Sequence, residues 1–460
     1  MIFCVFHYHL FHDDNEIRKK SRKLFRKYAS IELQSFLKNN WKDSLRNSQP
    51  HHLFHHEDLD YFACVLASKM VRFHKLSKTM SDKPWLLWEL GSLVIHDDLL
   101  TEFPTSFADL DFVDNIHFSG NGQMFDMEKS FPYFKNNNLK HIVFRNLTFE
   151  KFPVEFFTFD KLESLTLDSY TMGEENTLIE VPVLPKMVYL TDLTISNIDF
   201  TKIDNLKNIV GNIRKLNLQN TNLQLHLNIF EVCKHLEVFN CYNQNELINL
   251  NLNFENFTEI QEISLGNAPI TKIEDTFYKC SKLNRLHITS TNITEIPYSV
   301  FCIGSESLSN INIQFSNNKI ERIGNKKLSL GNIFNNLLHK RRFFDINLQG
   351  NLFSEIPEIF SEINISELNL DKNPIKAIPE YIDSFDIGHW LRLGETKITE
   401  IPIAVFKSKA RIDISNYQED LVLPDLNVIP NFYGRKNFHG KDYEKYRKMN
   451  ELIETKRITN

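Results

Sequence analysis

ISELNLDKNPIKAIPEYIDSFDI, residues Ile365 to Ile387, decides the fold. Ile365, Leu368, Leu370, Asn373, Ile375, Ile378 and Pro379 stand at the spacing L-x-x-L-x-L-x-x-N-x-L-x-x-I-P, which matches neither the period of an amphipathic helix nor a lone strand. Leu368 and Leu370 alternate with Asn369 and Asp371, so a strand here sends aliphatic side chains to one face and polar ones to the other. Asn373 follows where the strand must turn, and a carboxamide buried at a turn needs backbone partners. Pro379 lacks an N–H and disfavours helical geometry at Ile378, so any helix in the return segment starts at or after Pro379 and stays short. One such coil cannot bury its aliphatic edge, whereas stacked copies can.

The copies are present. The first position recurs at Leu90, Val113, Leu139, Leu162, Leu190, Ile213, Leu236, Ile260, Leu283, Asn310, Phe343, Ile365 and Gly388, with a decayed copy near residue 409. A dipeptide thirteen residues along confirms the register: Phe103-Pro104, Phe152-Pro153, Ile296-Pro297, Ile356-Pro357, Ile378-Pro379 and Ile401-Pro402. A phenylalanine follows at Phe107, Phe157, Phe277, Phe301, Phe360 and Phe406, which predicts a stacked aromatic row belonging to the core on the convex side of the coils. The turn position holds Asn at Asn121, Asn318, Asn351 and Asn373 and Thr at Thr221, Thr291 and Thr396, so a continuous asparagine ladder is not expected.

This pattern resembles the leucine-rich repeat. The resemblance implies an α/β fold, a solenoid with a curved parallel β-sheet on its concave face. The expected organisation is a helical N-terminal region or cap over 1–89, about 13–14 repeats over 90–417, and a C-terminal cap and basic tail over 418–460. Two coils carry insertions, after Tyr170 and after Ile320.

The formal charge of −6 is unevenly placed. Ten Lys and Arg against three Asp and Glu fall between Glu16 and Arg46, and eight against four between Gly434 and Asn460, leaving about −17 for the rest. An acidic repeat body disfavours nucleic acid as a partner. Ile17 to Leu37 carries an apolar stripe within the basic stretch and reads as an amphipathic helix. His51, His52, His55 and His56 cluster without the supporting ligands of a metal centre, so no metal or other cofactor is expected.

Residues 57–89 resemble the second half of an F-box: a helical stripe from Leu59 to Phe73, a break at Asp82 to Pro84, and Trp85 and Trp88 just before the repeats. The expected Leu-Pro opening helix has no match upstream. A helical cap over the open end of the solenoid accounts for the same residues.

The six cysteines form no C-x-x-C pair and no terminal cluster, which suits separate thiols in a reducing compartment. No apolar run is long enough for a membrane span. The start, MIFCVFHYHLF, lacks the basic region and cleavage site of a secretory signal. A cytoplasmic or nuclear location is expected, with secretion as the alternative.

Phosphate-loop, dinucleotide, zinc-protease and hydrolase signatures are absent, and about forty residues after the array are too few for a catalytic domain. These observations predict a protein that is not an enzyme, takes no small-molecule substrate and binds a protein partner through the concave face. The partner-binding candidates are Arg145, Tyr242, Arg285, His287, Gln314, Asp371, Trp390 and Arg392, outward strand positions rich in residue types that dominate interfaces. The alternatives are an F-box-like substrate receptor of a ubiquitin ligase and a regulator of a phosphatase or small GTPase.

Overall fold

The computed structural model describes residues 92–96, 101–102, 114–133, 138–149, 154–169, 186–198, 211–221, 233–243, 254, 256–304, 306, 310–325, 343–416, 421–425 and 432–457. The expected N-terminal cap, the basic stretch Glu16–Arg46, the histidine cluster and the F-box-like residues 57–89 lie outside them. So do the insertion after Tyr170 and most of that after Ile320. The chain divides into two compact units after Ile213.

The first unit contains β1 (Ser92–His96), β2 (Asn115–Ser119), β3 (Met124–Phe125), β4 (His141–Phe149), β5 (Ser164–Ser169) and β6 (Asp192–Ser196). Strands β1, β2, β4, β5 and β6 pair in that order, all parallel, and β3 pairs with β4 beside this path. Four of its buried rings pack against one another. Phe118 lies 5.3 Å from Phe125 and 5.7 Å from Phe144, and Phe144 lies 4.9 Å from Phe156.

The second unit contains β7 (Lys215–Gln219), β8 (Val238–Tyr242), β9 (Glu262–Gly266), β10 (Arg285–Thr289), β11 (Glu295–Ile296), β12 (Ile311–Gln314), β13 (Arg322–Ile323), β14 (Phe344–Asn347), β15 (Ile365–Asn369), β16 (Trp390–Arg392), β17 (Arg411–Asn416) and β18 (Lys436–Gly440). All of these except β11 and β13 form one parallel ladder in chain order, while β11 and β13 pair in the return segments. The aliphatic pairs predicted from the repeat are its core: Leu216, Leu286, Ile288, Ile313, Ile346, Leu368, Leu370, Leu391 and Leu393 are each at most 3% exposed. Burial of each such side chain stabilises the fold by about 1.5–3 kcal/mol.

The return segments follow from the Ile-Pro pairs. Pro297 and Pro357 stand directly before the 3₁₀ turns Tyr298–Cys302 and Glu358–Ser361. Pro379 and Pro402 open the turn Ile382–Ser384 and the short helix α1 (Ala404–Lys407) through their carbonyls, which accept from Ile382 and Val405. No helix longer than five residues forms in these described returns. The described members of the expected aromatic row, Phe157, Phe277, Phe301, Phe360 and Phe406, are buried core residues, and Phe277 stacks on Phe254 at 4.5 Å. A ring on a return segment points inward because that is where its apolar area can be removed from water.

Asn318, Asn351 and Asn373 form a short ladder over three successive coils, bounded by Thr291 and Thr396. The Asn351 carboxamide donates to the carbonyls of Phe315 and Leu348, and Oδ1 accepts from Ile320 N. Asn373 donates to Leu348 and Leu370 and accepts from Phe353 N. Thr291 joins this ladder through Asn318 Oδ1, which accepts from its N–H and its hydroxyl. Asn121, at the same repeat position in the first unit, is exposed.

A second marker sits one residue before the ladder position, where among the described residues ten coils place a residue with positive φ: Asn146, Asn197, Asn220, Asn243, Asn267, Ser290, Asn317, Gly350, Lys372 and Glu395. Six of the ten are Asn because the left-handed region penalises a β-carbon, and Asn tolerates it better than other non-glycine residues. The first repeat position also shifts in places. Phe343 is 40% exposed while Phe344 is 3% exposed, and Ile387 is buried beside exposed Gly388.

The ladder continues past residue 417. β18 pairs with β17 and places Lys436 opposite Ile412, in a core position. The Lys436 ammonium donates to the carbonyls of Ser408, Ala410 and Tyr433. Helix α2 (Tyr443–Thr455), N-capped by Asp442, packs on this last strand. Asn450 donates to the Phe438 carbonyl and accepts from its N–H, so one side chain takes the place of a neighbouring strand at the sheet edge. The Tyr446 ring lies against Gly440, where no β-carbon would fit.

Candidate functional site: the outer strand face

Alternate residues of each strand and of the turn after it face away from the aliphatic core, and the pairing register stacks them into rows, with Ser264 and Gly266 on β9 themselves buried. The first row in the second unit includes Lys215, Glu262, Arg285, Asn312, Asp345, Glu367, Trp390 and Arg411. The middle row is Asn217, Asn240, Ser264, His287, Gln314, Asn347 and Asn369, continuing into Arg392, Asp413 and Asn437. The third, two residues further along each strand, is Gln219, Tyr242, Gly266, Thr289, Ser316 and Gln349, followed by Asp371.

Seven of the eight predicted residues lie in the second unit, and Arg145 lies in the first. Two arginines are already paired along the ladder. Arg285 Nη1 donates to Glu262 Oε2 at 2.8 Å, and Arg392 Nε to Glu367 Oε1 at 2.8 Å. Arg214 repeats the motif with Glu237 at 2.6 Å. These exposed cross-strand pairs contribute about 0.2–1 kcal/mol each. A partner's carboxylate would have to share or displace an internal one.

Arg145 is exposed and directly opposite Asp168 across the β4–β5 pair. Burial raises the Asp168 carboxyl above its ordinary range, an effect that Arg145 and an Asn197 hydrogen bond oppose. Burial also lowers the neighbouring His117, and the Arg145 charge lowers it further. The Arg145 charge thus acts on an imidazole that is harder to protonate and a carboxyl that is harder to ionise.

Tyr242 leans over Gly266, where a β-carbon would stand 2.8 Å from its ring. Glycine is therefore what lets the ring lie along the face. His287 Nε2 is 2.7 Å from Asn312 Oδ1. The Arg411 guanidinium lies 6.0 Å from the Trp390 ring, a weak cation–π pair.

Asp371, just past the end of β15, and Arg392 on β16 stand near one another, joined by Asp413 and His439, which sequence reasoning missed, while Trp390 stands two residues back on β16 opposite Arg411. Asp371 accepts from Gly394 N. Burial raises its carboxyl, and repulsion from Asp413 adds to the shift. Asp413 is likewise raised by burial, with His439 Nε2 at 4.0 Å and Arg392 opposing. The missing signal was position: Asp413 lies in the decayed coil near 409, and His439 in a strand whose core slot holds Lys436.

Cys233, Cys241, Cys280 and Cys302 are buried free thiols, and burial pushes the first three up to about 12, which makes them poor nucleophiles. Among the described residues, no cluster of three or more His, Cys, Asp or Glu could hold a metal ion, and no helix is long and apolar enough to cross a membrane.

No protein-family profile matches the chain. It is 25% identical over 181 residues to osteomodulin of Rattus norvegicus, covering 35% of this chain and 42% of that protein, so it spans under half of that relative. Among solved structures, a leucine-rich-repeat protein of Leptospira interrogans superposes over 82% of this chain and 97% of its own, with TM-score 0.52 and 13% identity. An internalin of Listeria monocytogenes covers 74% of this chain and 84% of its own, with TM-score 0.46 and 14% identity. The chain folds as a leucine-rich-repeat solenoid, with coils of parallel strand, asparagine turn and short return.

Proposed function

We propose that this chain is a non-enzymatic binding protein that holds a protein partner against the concave, strand-bearing face of its repeats. The observation that carries the reading is the end of the strand face formed by Trp390 and Arg392 on β16 with Asp371 just past β15 and Asp413 on β17, which puts an aromatic ring, a guanidinium and two hard-to-ionise carboxyls on three neighbouring coils. Side chains fixed to a sheet lose little conformational entropy when a partner docks. Tyr242, Arg285, His287 and Gln314 extend the same face, and Arg145 presents a further contact in the first unit. The fold supports protein–protein interaction in general terms. The four buried, separate thiols fit an intracellular location.

Affinity capture with the tagged full chain, quantified by mass spectrometry, tests this reading. Trp390→Ala with Arg392→Ala is expected to deplete one captured protein about thirtyfold or more, the consequence of losing roughly 2 kcal/mol or more of anchor energy. Capture profiles unchanged by this pair and by Tyr242→Ala would reject the strand face as the binding surface.

A further inference from the structure

The middle and third rows of the second unit share a property that neither the repeat nor the core requires. From Asn217 to Asn369 in one and from Gln219 to Gln349 in the other, none of the thirteen positions carries Asp, Glu, Lys or Arg. At the chain's 24% charged content roughly three would be expected there by chance. The adjoining turn residues are uncharged as well from Asn220 to Gly350, whereas the first row on the other bank is charged at five of the seven positions from Lys215 to Glu367. The strip also lacks Leu, Ile, Val, Met and Phe, so it offers no apolar pocket. It offers hydrogen-bonding groups, part of them spent within the strip: Asn347 and Asn369 give Oδ1 to the N–H groups of Gln349 and Asp371, and Asn240 donates to Asn217 Oδ1, whereas the Gln314 and Gln349 side chains bond to no described residue.

Resting on the reading of the strand face as the binding face, we propose that this strip takes an extended polypeptide segment of uncharged residues, gripped through its main-chain amides. The dimensions suit one strand of chain. The strip is two side-chain rows, about 7 Å, wide and crosses seven strands, about 29 Å, the length of about nine extended residues. Carboxamides can pair with both the N–H and the C=O of a peptide unit, and their fixed spacing on the sheet supplies preorganised partners. A charged segment would be stripped of water beside groups that cannot neutralise it. Tyr242 adds a rigid contact at one end, in the manner of polar, Tyr- and Asn-rich binding surfaces.

Random peptides of about nine residues, displayed and panned against the full chain, test this directly. Recovered binders are expected to be poor in Asp, Glu, Lys and Arg, and fluorescence anisotropy should show affinities changing less than about twofold across a tenfold range of salt. Gln314→Lys and, separately, Gln349→Lys should each weaken binding about tenfold or more, while Lys376→Glu on an exposed return segment should not. Charge-rich binders, affinities that collapse with salt, indifference to both Lys variants, or recovery of no peptide at all would each overturn the proposal. A captured protein that depends on Trp390 but not on Gln314 would overturn the strip and leave the binding face standing.

Discussion

Asn351→Ala isolates what the asparagine ladder contributes. Removing the carboxamide leaves Ile320 N–H buried without an acceptor, because Asn351 Oδ1 is its partner. The two carbonyls it serves fare better: Phe315 O keeps the donor Asn318, and Leu348 O keeps Asn373. One orphaned donor at about 1–3 kcal/mol, with two weakened carbonyls, gives an expected loss of about 2–4 kcal/mol. The same geometry predicts non-additivity. Asn373→Ala alone spares Leu348 O, but the double variant removes both of its donors, so the pair should cost about 1–2 kcal/mol more than the sum of the singles. Urea unfolding in reducing buffer, followed by fluorescence of Trp390, the one tryptophan beyond Trp88, reads this in the second unit. Asn310→Ala, at an exposed position, is the control and should stay within about 0.5 kcal/mol of wild type. The reasoning fails if Asn351→Ala costs no more than that control, or if the double variant is simply additive.

Burial pushes Lys436 down from 10.5 to about 7. Between about 7 and 10.5 the unfolded chain therefore holds a proton that the folded chain has released, so this group makes stability rise with pH through that window and stay flat below it. Urea midpoints of wild type and Lys436→Met should show that rise in the wild type and a reduced slope in the variant; equal slopes would contradict it. Asn450→Ala removes the side chain that covers Phe438 at the sheet edge, and light scattering should then detect concentration-dependent association of the full chain. Variant and wild type remaining equally monomeric would count against that role. Asn317, exposed at φ 57°, should lose about 1–2 kcal/mol as Val and almost nothing as Gly, measured by the same unfolding assay.

Repeat period and return geometry were legible because they depend on residue type at fixed spacing. Leu368 and Leu370 can face only one way once a strand is drawn through them, and an Ile-Pro pair forbids a long helix wherever it falls. Features that depend on contact between coils were less visible. The register alone was enough to place Glu262 beside Arg285, yet the arginine read as a free anchor because type, not neighbour, was being weighed. Phe343 and Phe344 are equally apolar, so only packing decides which is buried. Asn121 fits the spacing and is exposed, since the turn that carries it sits beside Gly122, whose φ of 92° lies outside the course of the later turns. Lys436 hid the last strand by occupying a slot where an aliphatic residue announces the pattern. The run of Asn at positive φ was a signal in plain view, readable from the preference of that backbone conformation for Asn and Gly.

Site-specific photocross-linking tests the binding face most directly. A benzophenone amino acid placed at Gln314 on the strand face, and in a parallel experiment at Glu380 on an exposed return segment, is irradiated in cells expressing the full chain. The account predicts a discrete protein adduct from position 314, lost with Trp390→Ala or Gln349→Lys, and none from position 380. An adduct from position 380 with none from 314 would contradict it.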